Sequence, residues 1–200
     1  MSTKGELKMQ PMEKLHQEVT CILSAMDVME SMCHKIDNHE EVNLKDLKKI
    51  LHFCRNYIEK CHNTKEEELL FPKMTANGDD LTPIINECEL DRPMGHSYLL
   101  ELGEALRAAR NGDEGSMDEI KILCQQYVDF ERRHIHFEEV EVLPYAEGHL
   151  SQEDHRDLEI AFENYEDQQF GANHHEKFHV AMKTMVDQLR SVYLSSASKN

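Results

Sequence analysis

The chain has 200 residues, a formal net charge of −17, and only eight Gly and five Pro. This length is enough for one domain with a buried core, and the composition favours helices. The negative charge argues against nucleic acid or an anionic membrane surface as a partner, because both repel acidic proteins.

Apolar residues recur with the period of a helix along most of the sequence, and none of its segments alternates like a strand. Asn43, Ser116 (followed by Glu119) and Ser151 are predicted N-caps. Turns are expected at residues 77–80 and 111–113, where Asn, Gly and Asp cluster. The predicted helices cover about residues 11–36, 43–72, 83–88, 96–110, 116–144, 151–165 and 174–193.

Four long helices joined by short turns predict an all-α, up-down-up-down four-helix bundle with additional C-terminal helices. Residues 1–10 are expected to be a flexible N-terminus, and residues 11–147 to form the bundle. Residues 148–194 are expected to form a helical extension that packs on it, and residues 195–200 a disordered tail.

Most of the six cysteines lie in helix-like segments and none forms a C-x-x-C motif, which predicts free thiols in a reducing, cytoplasmic environment. The first residues lack the apolar core of a secretory signal, and no apolar run reaches about 18 residues, so neither export nor a membrane span is expected. The cysteines are Cys21, Cys33, Cys54, Cys61, Cys88 and Cys124.

A repeat at an offset of 72 residues is the most informative pattern in the sequence. Each copy has a His and a Glu four residues apart, so that both lie on one face of a helix. An imidazole and a carboxylate placed in this way can bind a transition metal, and two facing copies can share carboxylates between two ions. The repeated residues are His62, Glu66 and Pro72 in the first copy and His134, Glu138 and Pro144 in the second.

His16 and His96, eighty residues apart, are the corresponding candidates on the first and third long helices. Imidazoles combined with carboxylates favour iron, manganese or zinc over calcium or magnesium, which prefer oxygen ligands alone. The candidate metal ligands are therefore His16, His62, Glu66, His96, His134 and Glu138.

The segments around His16, His62-x-x-x-Glu66 and His134-x-x-x-Glu138 resemble the hemerythrin-like family, the proteins with an HHE cation-binding domain, over about residues 11–147. The resemblance implies a centre of two iron ions bridged by carboxylates and an oxo group. It also implies a small ligand, either a diatomic molecule or peroxide. The functions it implies are oxygen carriage, sensing, nitric oxide or peroxide chemistry, and iron handling. Leu100 stands where the oxygen carriers have an extra His, so the chain looks more like members with four His and two Glu, which are linked to nitric oxide and iron.

The third helix departs from the family pattern. Many members have His-x-x-Gly-Arg there, whereas this chain has Arg92-Pro-Met-Gly95-His96. His96 is then displaced by one turn, about 6 Å along the helix. Three outcomes are then open: His96 ligates from this position, one metal has a ligand fewer, or another residue such as Tyr98 or Glu166 replaces it.

Two other functions fit parts of the pattern. Glu59-x-x-His62 and Glu131-x-x-His134 have the spacing of a ferritin-like oxidase or iron-storage bundle, although His16 and His96 occupy helices where that design has carboxylates alone. A metal-free helical interaction module is the second alternative. The remaining histidines are expected to be surface or hydrogen-bonded residues, including His34, His39, His52, His149, His155, His174 and His179.

Overall fold

The computed structural model describes residues 10–76, 80–171 and 175–194, and within these ranges its regular secondary structure is all-α. The predicted flexible start up to residue 9, the turn at 77–79, the start of the last helix at His174 and the tail from 195 lie outside the described residues. The α-helices are α1 (Pro11–Asp37), α2 (Leu44–Phe53), α3 (Phe71–Thr75), α4 (Thr82–Arg110), α5 (Ser116–Phe137), α6 (Leu143–His149), α7 (Gln152–Phe170) and α8 (His175–Tyr193).

Two of the long helices contain wide π-helical turns. α2 continues through π-helical segments at Cys54–Asn63 and Glu66–Leu70 into α3, and α5 continues through Glu138–Val142 into α6. The segments Glu66–Leu70 and Glu138–Val142 have the same length and the same 72-residue offset as the sequence repeat. The repeat is therefore a repeat of backbone geometry as well as of side chains.

The two helices that carry the repeat extend beyond the prolines near which the sequence had predicted their ends. They continue past Pro72 and Pro144 to Thr75 and His149. Proline has no N–H, and its ring clashes with the carbonyl four residues earlier in a regular α-helix. The wider turn that precedes each proline provides the space for the ring, so the chain remains helical.

The predicted break before the third long helix is also wrong. α4 is one helix from Thr82 to Arg110, with Pro83 in its first turn and Pro93 inside it. Proline is tolerated in a first helical turn, and Pro93 lies on the exposed face, where water can bond the carbonyl that its missing N–H leaves free.

Two of the three predicted N-caps are confirmed. The Asn43 side chain accepts a hydrogen bond from the Lys45 N–H, and Ser151 forms a capping box with Asp154. Ser116 is not a cap: Gly115, with a φ of 103°, precedes α5, and the Ser116 hydroxyl donates to Asp113 instead. Glycine adopts this left-handed conformation without steric cost.

The core consists of two apolar clusters with a polar layer between them. The larger cluster includes Val19, Ile58 and Ile135, and the smaller one includes Leu15 and Val142. Helix α1 packs on α5, α5 packs on α4, and α4 packs on α2. In the extension, α8 packs on α1 and α2, and α7 packs on α1 and on the π-helical segment that begins at Glu66. No helix in the described ranges has the length and apolar character needed to cross a membrane.

Close packing of α4 on α5 depends on Gly95. A Cβ atom there would lie 2.9 Å from Cε1 of Phe130. We expect Gly95→Ala to lower the free energy of unfolding by about 1–3 kcal/mol, since the Phe130 ring must move. Chemical denaturation measures this loss. Gly148→Ala in α6 is the matched control, because nothing lies within 4 Å of its Cβ position, and equal stabilities of the two variants would contradict the prediction.

Candidate metal centre

Three buried side chains from both copies of the repeat meet in the polar layer. One ligand atom from each of His62, Glu66 and Glu138 lies within 4.8 Å of the others. The His62 Nε2 atom is 3.2 Å from Glu138 Oε2 and 4.0 Å from Glu66 Oε1. The two helices that carry the repeat therefore face each other at this depth.

His134 joins the cluster from the other side of Glu138. Its Nε2 atom is 2.8 Å from Glu138 Oε1, so each oxygen of this carboxylate faces a different imidazole. Neighbouring donors of a transition-metal ion with bonds of about 2.1 Å lie about 3 Å apart. The distances from the Glu138 carboxylate to the two imidazoles therefore fit the spacing of metal ligands.

Several carboxylate oxygens of the cluster are buried without a hydrogen-bond partner. Both oxygens of Glu66 and Oε1 of Glu131 have no hydrogen-bond partner among the described residues. Buried polar atoms of this kind are costly and rare in folded proteins. A bound cation would satisfy them, so the donor set fits a cation-binding site.

The Nδ1 atom of each imidazole, which faces away from the cluster, contacts a carboxylate from another helix. His62 Nδ1 lies 3.0 Å from Glu18 Oε2 on α1, and His134 Nδ1 lies 3.2 Å from Asp91 Oδ2 on α4. A carboxylate at Nδ1 fixes the tautomer and the orientation of a ligating His and increases its basicity. In a metal-bound state, the proton would therefore lie on Nδ1 of both rings, and Nε2 would be free to bind the metal.

Electrostatic coupling is strong within the cluster. Burial alone would lower the pKa of His134, but the Glu138 charge raises it to about 9, and the pKa of His62 rises well above its usual value through Glu66 and Glu138. Burial and the Glu138 charge raise the pKa of Glu66 to about 8. Burial opposes ionisation of Glu138, yet the two imidazoles hold its pKa well below its usual value. In the absence of metal, protons therefore supply the positive charge, and metal binding must release them.

His16 does not reach the cluster. Its side chain is 42% exposed, and Nε2 lies 3.2 Å from Glu147 Oε1. Leu15 and Glu18, which are three residues apart, occupy the inward face of α1, and the neighbouring His16 points away from it.

His96 also lies outside the cluster, on the surface of α4. Its side chain is 60% exposed, and Nδ1 lies 2.8 Å from Glu59 Oε1. Arg92, at the position where the family pattern has its third-helix His, points inward, with Nη2 3.6 Å from Glu66 Oε2. The proposed replacements do not reach the cluster: Tyr98 packs on Phe130, and Glu166 pairs with Lys65.

The structure thus brings four of the six predicted ligands together, and it adds residues that the sequence did not single out. Glu18 and Asp91 hold the imidazoles. His179, which was expected to be a surface or hydrogen-bonded residue, is hydrogen-bonded, with Nε2 3.3 Å from Glu166 Oε1. The position of Glu18 could have been found from the sequence, since it lies three residues after Leu15 on the apolar stripe. No sequence signal identified His179.

A cavity of about 410 Å³ leads to the His134 side of the cluster. Glu131 and His134 line it, together with the surface pair Glu59 and His96. Burial raises the pKa of Glu131 to about 7, against the opposing charge of His134. A small molecule can therefore approach the cluster beside a carboxyl group that exchanges protons near neutral pH.

Comparison with known proteins identifies one family. The model of the hemerythrin HHE cation binding domain matches residues 10–146, which contain the whole cluster and end before α7. No curated protein and no solved structure matches the chain significantly.

Proposed function

Since the chain belongs to the hemerythrin HHE cation-binding family, we propose that it binds two iron ions and uses them to bind, sense or reduce oxygen, nitric oxide or peroxide. The ligands in this proposal are His62, Glu66, His134 and Glu138. The observation that carries it is Glu138, each of whose oxygens faces a different imidazole next to the unsatisfied oxygens of Glu66. Of the six ligands predicted from the sequence, this proposal keeps these four and omits His16 and His96.

Bound iron supplies one-electron chemistry and an open coordination position for a small ligand. The protein orients the metal-binding nitrogens through Glu18 and Asp91. Phe130, stacked on His134 with ring centroids 6.1 Å apart, provides an apolar wall of the cavity beside this imidazole. In this proposal Glu131, which lines the cavity, accepts or donates a proton at its unsatisfied Oε1 atom.

Metal analysis combined with optical spectroscopy tests the proposal. Protein from iron-replete cells should contain about two iron ions per chain and show the near-ultraviolet and visible absorption of bridged ferric iron. Reduction should bleach these bands, and mixing with nitric oxide or oxygen should change the spectrum. Colourless protein that contains zinc instead would contradict the proposal. A metal-free interaction module predicts no stoichiometric metal and a melting temperature that chelators leave unchanged.

The ferritin-like oxidase is the second candidate, and Glu131 is the observation that favours it. Glu131 is buried, precedes His134 by three residues and has an unsatisfied oxygen. The ferritin-like design requires such a Glu-x-x-His pair on two helices. In the first copy of the repeat, however, Glu59 is half-buried and its Oε1 is bound to His96, so the pairing is present on one helix only.

A further inference from the structure

A lysine is fully buried beside the cluster. Lys65 directly precedes Glu66, and its ammonium forms an ion pair with Glu18 Oε1 and a second one, of 2.7 Å, with Glu166 Oε1. A buried ammonium is strongly destabilising unless its charge is compensated by well-placed partners. The two carboxylates compensate it, and the Phe162 ring lies 5.4 Å from Nζ on a further side.

The C-terminal extension supplies half of this arrangement. Glu166 and Phe162 lie one turn apart on α7. Glu166 is also 3.3 Å from His179 Nε2 on α8 and 3.9 Å from Lys14 Nζ on α1. The family match ends at residue 146, so Glu166 and His179 lie outside the domain that the family shares.

Glu18 connects the lysine to the metal cluster. Its Oε1 atom pairs with Lys65, and its Oε2 atom accepts from His62 Nδ1 at 3.0 Å. The contacts are therefore continuous from Glu166 on α7 through Lys65 and Glu18 to His62. Each step joins charged or hydrogen-bonded atoms that are buried from solvent.

We propose that Lys65 and Glu166 are positioning residues through which the C-terminal extension sets the electron-donating strength of His62, and with it the affinity and reduction potential of bound iron. This inference rests on the proposed iron centre. Lys65 pairs with two carboxylates, so its positive charge compensates the charge of Glu18 only in part. The remaining negative charge of Glu18 holds the His62 Nδ1–H and increases the basicity of Nε2.

The sign of the effect follows from the charges. If Glu166 is neutral, Glu18 is the remaining anionic partner of Lys65 in this arrangement, and its negative charge is compensated more fully. His62 then becomes a weaker electron-pair donor to the metal. The environment of the iron also becomes more positive, which favours the ferrous over the ferric ion. Removing the charge of Lys65 as well restores the net charge near His62.

The test is anaerobic titration of the full chain with ferrous iron against a competing chelator. We expect Glu166→Gln to weaken iron binding roughly 10-fold. The reduction potential of the iron bound to this variant should rise, and the visible absorption bands should shift. The double variant Lys65→Met with Glu166→Gln should return all three quantities toward those of the unmodified protein. A purely structural role predicts the opposite, because two core changes together would disturb the site more than one.

Asp157→Asn is the matched control on the same helix. Asp157 pairs with Lys73 at 2.7 Å and so joins α7 to the bundle, but it is exposed and not connected to His62. It should leave iron affinity and spectrum unchanged. Unchanged affinity and potential in Glu166→Gln, with iron bound by the unmodified protein, would overturn this inference alone. Absence of iron binding by the unmodified protein would overturn the proposed function and this inference together.

Discussion

Glu138→Gln should reduce iron loading from about two ions per chain to less than one, with an affinity lower by roughly 100-fold or more. The amide keeps the size of the side chain but loses the charge, and one of its two terminal atoms becomes a donor that cannot bind a cation. Because each Glu138 oxygen faces a different imidazole, both ions should be affected. Metal analysis after equilibration with ferrous iron measures the loss.

Three further variants identify the cause of that loss. Glu66→Gln should also abolish loading, while the apoprotein keeps its stability near neutral pH. Burial and the Glu138 charge raise the pKa of Glu66 to about 8, so the neutral amide replaces a carboxyl group that is already mostly protonated. This outcome would exclude unfolding as the reason. Glu59→Gln, on the half-buried surface pair, should load normally. If Glu131→Gln and Glu59→Gln abolish loading while Glu66→Gln and Glu138→Gln retain it, the site is ferritin-like.

The apoprotein should lose stability as the pH rises from about 6 to about 9, whereas the iron-loaded protein should not. The folded-state pKa of His134 is raised from 6.5 to about 9. Its contribution is therefore fully present below the unfolded value and is lost as the pH rises through the folded value, a change of about 3 kcal/mol. The raised pKa values of Glu66 and Glu131 act in the same direction between about 4.5 and about 8.

Bound iron reverses this dependence. It keeps the imidazoles neutral and the carboxylates ionised, so binding releases protons and strengthens as the pH increases. Urea denaturation of chelator-treated and loaded protein at both pH values measures the difference. His96→Asn, which removes an exposed imidazole, should retain the slope of the apoprotein. An apoprotein that is more stable at the higher pH would show that the cluster is not protonated as described.

Local patterns allowed much of the fold to be predicted. The stripe from Leu15 to Met29 marks α1, and the side chains of Asn43 and Ser151 cap the helices they precede. The segment from Pro83 to Cys88 and the segment that holds His96 were predicted as two helices, but they belong to one helix that runs through Pro93. Whether a proline interrupts a helix depends on which face it occupies, and this requires knowledge of the neighbouring helices.

The geometry of the site, like the fold, could be predicted where one helix alone decides it, and could not be predicted where the packing of several helices decides it. His62 with Glu66, and His134 with Glu138, each lie on one helix, so their spacing alone places them on one face. For His16 and His96 the prediction depended on the rotation of α1 and α4 relative to the other helices. In α1 the inward position belongs to Glu18, and in α4 Arg92 points toward Glu66. The extension's role could not be predicted, because Lys65 and Glu166 are 101 residues apart in the chain.

The two matching π-helical segments make the spacing between ligand and proline intolerant of deletion. A residue removed from Glu66–Leu70 or Glu138–Val142 would return that segment to regular α-helical winding. Everything on one side of the deletion would then rotate by about 100° relative to the other, and the proline ring would again meet a backbone carbonyl. Point substitutions on the exposed side of these turns leave the winding intact. Variation in this part of the chain should therefore accumulate as substitutions and not as changes in length.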